Sequence, residues 1–255
     1  MKVRPLVALH GFMGSPSTFN ALAQRWDGNF VALPLPKPSS PNNASAALML
    51  SSAHEQAARE ILSDLATRGI EEFDLLGYSL GGRIAIHLAR LFPERVHRLV
   101  LEAAHPGLDS ESERDARREH DRHWAERIRR DGPGMLGEWY EQSVFASLPA
   151  SLREELIQEK SHQSWSSIPR VLDSYSLGRQ APHWDALTER SRPTLFISGQ
   201  MDLRYSQVGD RLETQSRLIR HISVPRAGHV VHREQPEAYL GALQSFLIQE
   251  SSPNT

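Results

Sequence analysis

The chain has no cysteine among its 255 residues. Disulfides and a thiol nucleophile are therefore excluded, and the absence fits a reducing compartment such as the cytoplasm. It also lacks an excess of either charge. Against 29 Lys and Arg stand 31 Asp and Glu, a net charge of −2, so no bulk attraction to nucleic acid or to a membrane surface is implied. The basic residues are interleaved with acids and have no stacking aromatics beside them, which removes the usual footprint of a nucleic-acid partner. No apolar run approaches the roughly 18 residues of a membrane span. Met1-Lys2-Val3-Arg4-Pro5 leads straight into an apolar segment without the pattern of a signal peptide. The 12 histidines include no pair at metal-ligand spacing with carboxylate support. No metal, no cofactor, no nucleic acid and no membrane association are expected, the expected location is cytoplasmic, and nothing in the sequence speaks to oligomeric state.

What is present is an alternation of apolar strand-like and amphipathic helix-like segments, the pattern of a mostly parallel sheet flanked by helices. Leu6–Leu9 and Phe30–Leu33 read as strands. Pro34 to Asn43 reads as a surface connection. Ser52 to Thr67 reads as a helix with Ala53, Ala57, Ile61 and Leu65 on one face, closed by Gly69. The rhythm stops after Arg98–Glu102 and resumes at Thr194. Residues 107–185, helical in pattern and strongly charged, are expected to form a cap inserted into a core made of 1–106 and 186–255. Pro236 to Gln249 reads as a last helix and Ser251 to Thr255 as a frayed tail.

The most informative stretch is Gly77-Tyr78-Ser79-Leu80-Gly81, followed by Gly82-Arg83. An apolar strand, Phe73–Gly77, leads into it, and a helical segment from Ile84 follows. The pentapeptide alone is weak evidence. In a strand–turn–helix context it is a nucleophile elbow, whose strained backbone lifts a serine hydroxyl above the sheet edge. The competing reading is an ordinary serine in a Gly-rich turn. Two later residues weigh against it. Asp202 lies just past the buried strand Thr194–Gly199, and His229 sits in the Gly228-His229 loop after the strand His221–Val224. The order Ser79, Asp202, His229 is that of an α/β hydrolase, with acid and base each on a loop after a strand. Asp210 and Asp185 are rivals to Asp202, but neither follows a strand end. His232 rivals His229, and the sharp turn at Gly228 favours His229. At the chain start the strand Leu6–Leu9 runs into His10-Gly11-Phe12-Met13-Gly14, where the Phe12 N–H is expected to pair with the Leu80 N–H as an oxyanion hole. His10 is read as a structural turn residue.

The charged segment Asp109 to Asp131 is mostly a solvated helix, with Glu113/Arg117 and Glu126/Arg130 as expected i,i+4 pairs. Its apolar stripe runs through Trp124 and Ile128, and seven residues before Trp124 it meets Arg117. Lys160 likewise continues a Leu152, Leu156 stripe. A cation on a buried face is unusual unless an anion meets it, with snorkelling at the rim as the alternative. Arg83 lies one helical turn after Ser79, in the first turn of a helix, where the dipole disfavours positive charge. Arg83, Arg117 and Lys160 together predict a small substrate with several carboxylates.

At this point the residues resemble a known family. Gly77–Arg83, Glu102-Ala-Ala-His-Pro-Gly-Leu108, Asp121-Arg-His-Trp-Ala125, Glu138-Trp-Tyr140, Val144-Phe-Ala-Ser-Leu148 and Pro225-Arg-Ala-Gly-His229 with His232-Arg-Glu234 look like the 2-succinyl-6-hydroxy-2,4-cyclohexadiene-1-carboxylate synthases of menaquinone and phylloquinone biosynthesis. The likeness spans about residues 6 to 248. It implies an α/β-hydrolase fold with a helical cap, and a lyase that eliminates pyruvate from a tricarboxylate, 2-succinyl-5-enolpyruvyl-6-hydroxy-3-cyclohexene-1-carboxylate. It implies Ser79, Asp202 and His229 as the triad and Tyr78, Arg83, Arg117, Trp139, Phe145 and Lys160 as substrate contacts. Lysine at 160 is a departure, because some relatives are expected to carry arginine there and an ammonium lacks the bidentate fork. Arg122 is a substitute for that third cation. The alternative to the lyase is a serine hydrolase acting on a small carboxylated substrate with the same triad.

Overall fold

The structure, a computed structural model, describes residues 4–38 and 52–248. Much of the Pro34 to Asn43 connection and the whole Ser251 to Thr255 tail lie outside the described residues. The elements run β1 (Leu6–Leu9), α1 (Asn20–Ala23), β2 (Phe30–Leu33), α2 (Ala53–Thr67), β3 (Phe73–Tyr78), α3 (Leu80–Leu91) and β4 (Val96–Glu102). Five helices follow, α4 (Glu111–Asp131), α5 (Leu136–Trp139), α6 (Ala150–Ser161), α7 (Ile168–Ser174) and α8 (Trp184–Thr188). The chain then returns to β5 (Thr194–Gly199), α9 (Leu203–Gln215), β6 (Ile219–Val224), α10 (Val231–Glu234) and α11 (Pro236–Leu247). Among the described residues no helix is long and apolar enough to cross a membrane.

The strands form one sheet in the order β2-β1-β3-β4-β5-β6, and every neighbouring pair is parallel. A parallel sheet must be covered on both faces, and the strands read as apolar runs for that reason. Side chains alternate between the faces. Val7, Leu9, Phe73, Leu75, Leu99, Leu101 and Phe196 pack with Ile61 and Leu65 of α2, Ile84 and Leu88 of α3, and Leu212 of α9. Leu6, Ala8, Leu76, Val100, Leu195 and Ile197 pack on the other side with Tyr239 and Leu243 of α11. Met13 and Val230 of the sheet's loops join a third apolar cluster with Trp124, Ile128, Leu136, Phe145, Leu156 and Leu172 from the helices between β4 and β5.

Local chemistry explains the element ends. Ser52 caps α2 through its hydroxyl, which accepts from Glu55 N at 3.2 Å. Gly69 takes φ +70° just after that helix. Ser110 and Glu113 form a capping box on α4. That box corrects one expectation. Glu113 is drawn back to Ser110, and Arg117 pairs with Asp121 instead, Nε to Oδ1 at 2.8 Å. Arg130 likewise pairs with Asp131 rather than Glu126.

Register brings the C-terminal strand ends into line. Leu9 sits opposite Gly77, Tyr78 opposite Glu102, Glu102 opposite Ile197, and Gly199 opposite Val224. The loops after β1, β3, β4, β5 and β6 therefore gather along one edge, where ligands bind in open parallel sheets. Among the described residues the non-glycine positions at positive φ, Met13, Ser79, Ala103 and Arg226, all lie in those loops. Among the described residues this backbone strain gathers at one edge of the sheet, as at functional sites generally.

Candidate active site

The turn from β3 to α3 places Ser79 at φ 50°, ψ −109°. Its N–H donates to the Glu102 carbonyl at 2.8 Å, and its carbonyl accepts from Arg83 N at 3.0 Å. The surrounding glycines are required by contact. A Cβ on Gly77 would lie 2.5 Å from the Gly82 Cα, one on Gly81 would overlap the Leu9 carbonyl, and one on Gly82 would overlap the Ala104 Cβ. Helix, strand and neighbouring strand all touch at the elbow, which is why positions 77, 81 and 82 are glycine.

His229 completes the geometry from the loop after β6. Its Nε2 lies 3.2 Å from Ser79 Oγ, and its Nδ1 lies 2.8 Å from Asp202 Oδ2. Both His229 and Asp202 are buried. Asp202 caps α9, its Oδ1 accepting from Tyr205 N at 3.4 Å, and its own N–H donates to the Gly199 carbonyl at 3.0 Å. With the carboxylate on Nδ1, the imidazole presents an unprotonated Nε2 to the serine. The rivals sit elsewhere. Asp210 meets His221 Nδ1 at 2.9 Å, Asp185 lies in the first turn of α8, and His232 holds Glu102 through Nδ1 at 2.8 Å. His10 is a turn residue whose Nδ1 lies 2.8 Å from the Gly11 carbonyl, and burial pushes its pKa down to about 4. Among the described residues neither the Phe12 N–H nor the Leu80 N–H donates to a backbone carbonyl.

Above Ser79 lies a cavity of about 660 Å³ between the sheet edge and the helices α4 to α7. Its wall includes Phe12, Tyr78, Leu80, Arg83, Arg117, Trp139, Phe145 and Lys160, so the expected oxyanion-hole and substrate-contact residues, Arg122 excepted, reach the same space. Phe12 and Trp139 rings stand 5.3 Å apart, and Trp139 packs edge-on against Trp124 at 5.1 Å. Phe145 and Tyr78 flank the His229 ring at 5.8 and 5.7 Å. Burial holds the Tyr78 phenol well above its ordinary pKa, with Glu102 adding to the effect, so the hydroxyl stays a donor.

The cations differ in their surroundings. Arg83 is half-buried, and desolvation, followed by repulsion from Arg117, lowers its pKa to about 10. Arg117 carries its own counter-ion, the buried Asp121, which it meets through Oδ1, while Asp121 Oδ2 has no hydrogen-bond partner among the described residues. Lys160 donates to the Met13 carbonyl at 3.1 Å, and burial lowers its pKa to about 8. Arg122 does not reach the cavity. It pairs with Glu119 on the exposed side of α4.

The sequence reading missed several wall residues. Tyr205 packs on His229 at 4.9 Å between ring centres, and Asp121, His120 and Tyr175 also line the cavity. Asp121 carried a readable signal, four residues after Arg117. Tyr205 and Tyr175 had none, because only the fold brings them to the site.

A sequence profile described as the alpha/beta hydrolase family matches residues 6–242. The 2-succinyl-6-hydroxy-2,4-cyclohexadiene-1-carboxylate synthase of Yersinia enterocolitica is 34% identical, over 96% of this chain and 87% of that protein. The protein of that name from Serratia proteamaculans is 31% identical, over 95% and 92%. Among solved structures, MenH from S. aureus superposes with a TM-score of 0.85 at 23% identity, covering 97% of this chain and 94% of that one. A malate-bound esterase from Thermogutta terrifontis superposes with a TM-score of 0.75 at 23% identity, over 96% and 89%. The chain belongs to the alpha/beta hydrolase family and, within it, to the 2-succinyl-6-hydroxy-2,4-cyclohexadiene-1-carboxylate synthases.

Proposed function

We propose that the chain eliminates pyruvate from 2-succinyl-5-enolpyruvyl-6-hydroxy-3-cyclohexene-1-carboxylate, giving 2-succinyl-6-hydroxy-2,4-cyclohexadiene-1-carboxylate, with Ser79, His229 and Asp202 acting as a general base. The observation that carries this reading is the convergence of Arg83, Arg117 and Lys160 on the cavity that holds Ser79 and His229. An esterase pocket is mostly apolar, whereas this one offers cations to several carboxylates at once. A cavity of about 660 Å³ suits a cyclohexene with two short acidic arms. The relatives of that name are bacterial, and on the same reading the reaction runs in the cytoplasm.

His229, oriented by Asp202, accepts the Ser79 proton as the serine oxygen takes a ring proton next to an activated carbonyl. Charge develops on that carbonyl oxygen and is met by the N–H groups of Phe12 and Leu80. The ring carbon–oxygen bond then breaks and its electrons leave with the oxygen as the enolate of pyruvate, which takes up the proton held by His229 and tautomerises to pyruvate, while the ring gains a conjugated diene and the Ser79–His229 pair is restored. The serine oxygen serves as a base, so no acyl-enzyme forms. Arg83, Arg117 and Lys160 hold the carboxylates, with Tyr78 donating from its phenol. Residues 107–185 act as a cap, whose Trp139 and Phe145 wall the ring from water.

The test is to generate the substrate in situ from isochorismate and 2-oxoglutarate with the preceding enzyme, then follow pyruvate and the ultraviolet absorbance of the diene together. Parallel rises support the lyase. A burst from nitrophenyl esters, with no pyruvate above the spontaneous rate, overturns it in favour of a serine hydrolase.

A further inference from the structure

Behind the cavity wall lies a buried group of imidazoles that the reaction does not use. His54 of α2 is 0% exposed and His87 of α3 is 1% exposed. Their rings stack at 5.1 Å with 16° between planes, and His183, just before α8, meets His87 edge-on at 4.4 Å. The Tyr175 ring, which lines the cavity, meets His54 edge-on at 5.3 Å. One member of the group touches the site itself. Arg83 Nη1 lies 3.3 Å from His54 Nε2.

A guanidinium has five donors and no acceptor, so the imidazole must receive this bond. His54 Nε2 is then a lone pair and the ring proton is on Nδ1. We propose that His54, as this neutral tautomer, is the positioning residue for Arg83. It fixes the rear face of the guanidinium so that the remaining N–H groups face the substrate. The reading deepens the assignment of Arg83 as a carboxylate contact and rests on it.

Three features support the assignment. Burial, then Arg83, His87 and His183, keep His54 well below its usual pKa, so it stays an acceptor. The Nδ1 atom has no partner among the described residues. An apolar side chain there would avoid leaving a buried polar atom unmatched, so a histidine at this position carries a cost in stability. Finally, no carboxylate is bonded to Arg83 among the described residues, unlike Arg117 with Asp121. A neutral acceptor orients the cation without competing for its charge, which leaves that charge for a carboxylate.

The test compares His54→Leu, which removes the acceptor, with His54→Gln, whose amide oxygen reaches the Nε2 position. With both folded by circular dichroism, His54→Leu is expected to raise KM about tenfold and change kcat by less than about threefold. His54→Gln is expected to stay within about threefold of wild type in both. A wild-type KM in His54→Leu, or equal damage in both variants, overturns the proposal. A second measurement needs no turnover. Long-range nitrogen–proton correlation spectra of the wild-type protein, with His54 assigned by its loss in His54→Gln, report the tautomer. An Nδ1–H ring with bare Nε2 supports the contact, and an Nε2–H ring overturns it. If the wild-type protein releases no pyruvate, the lyase reading falls while the tautomer still decides the contact.

Discussion

Acidification is expected to destabilise this protein well before its exposed carboxylates titrate. Burial lowers the pKa of His10 and His105 to about 4, of His87 to about 3, and of His54 well below 6.5. Each is under a tenth exposed, so the shifts are not screened away. A histidine whose folded pKa lies below its unfolded value binds its proton more readily when unfolded. Its stabilising contribution is complete above about pH 6.5 and is lost progressively as pH falls towards 4. Between pH 7.5 and 5.5 the loss is about 1.4 kcal/mol per histidine, or about 4 kcal/mol for His10, His105 and His87 together, with His54 acting in the same direction. Asp74 works in the opposite direction. Burial raises its carboxyl to about 6, so its protonation near pH 5.5 returns about 1 kcal/mol. The net loss of about 3 kcal/mol is a large share of the 5–15 kcal/mol typical of a domain. Urea unfolding at the two pH values, followed by tryptophan fluorescence, measures it directly. Equal unfolding free energies at pH 7.5 and 5.5 would show that these imidazoles are hydrated or charged in the native state and would refute the reasoning.

Other perturbations test separate parts of the site. In steady-state assays of pyruvate release, Arg83→Ala should mainly raise KM and lower kcat/KM, by about tenfold or more for a lost charged contact; unchanged kinetics remove Arg83 from the site. Because burial lowers Lys160 to about 8, its charge is lost as pH rises through that value. The kcat/KM profile for an anionic substrate should fall above pH 8, and Lys160→Arg should abolish that fall. Gly81→Ala pushes a Cβ against the carbonyls of Leu9 and His10, and a urea titration should record a loss of about 3 kcal/mol. A stability equal to wild type would mean the elbow can relax.

Much of the site was legible because it lies at strand ends, and strands announce themselves locally. Apolar runs marked β3, β5 and β6, and the glycines around Ser79 and before His229 marked sharp turns, so the order of nucleophile, acid and base followed from one dimension. Helical periodicity did the same for Arg117, which continues the stripe through Trp124. Contacts made across the sheet had no such signature. Glu102 meets His232 because β4 ends level with Tyr78, and nothing near either residue in sequence says so. His54, His87 and His183 come from three different elements and meet only after the layers are packed. Side-chain competition also stayed hidden, since Glu113 was claimed by the α4 cap and Arg117 took Asp121 instead.

The most direct test of the account is pyruvate release by the wild-type protein and by Ser79→Ala, side by side, on substrate generated in situ. The wild-type protein is expected to release pyruvate and form the diene in equal amounts. Ser79→Ala should still bind substrate but fall to near the spontaneous rate, since its alanine cannot accept a proton. Wild-type turnover by Ser79→Ala would contradict the role of the serine as base.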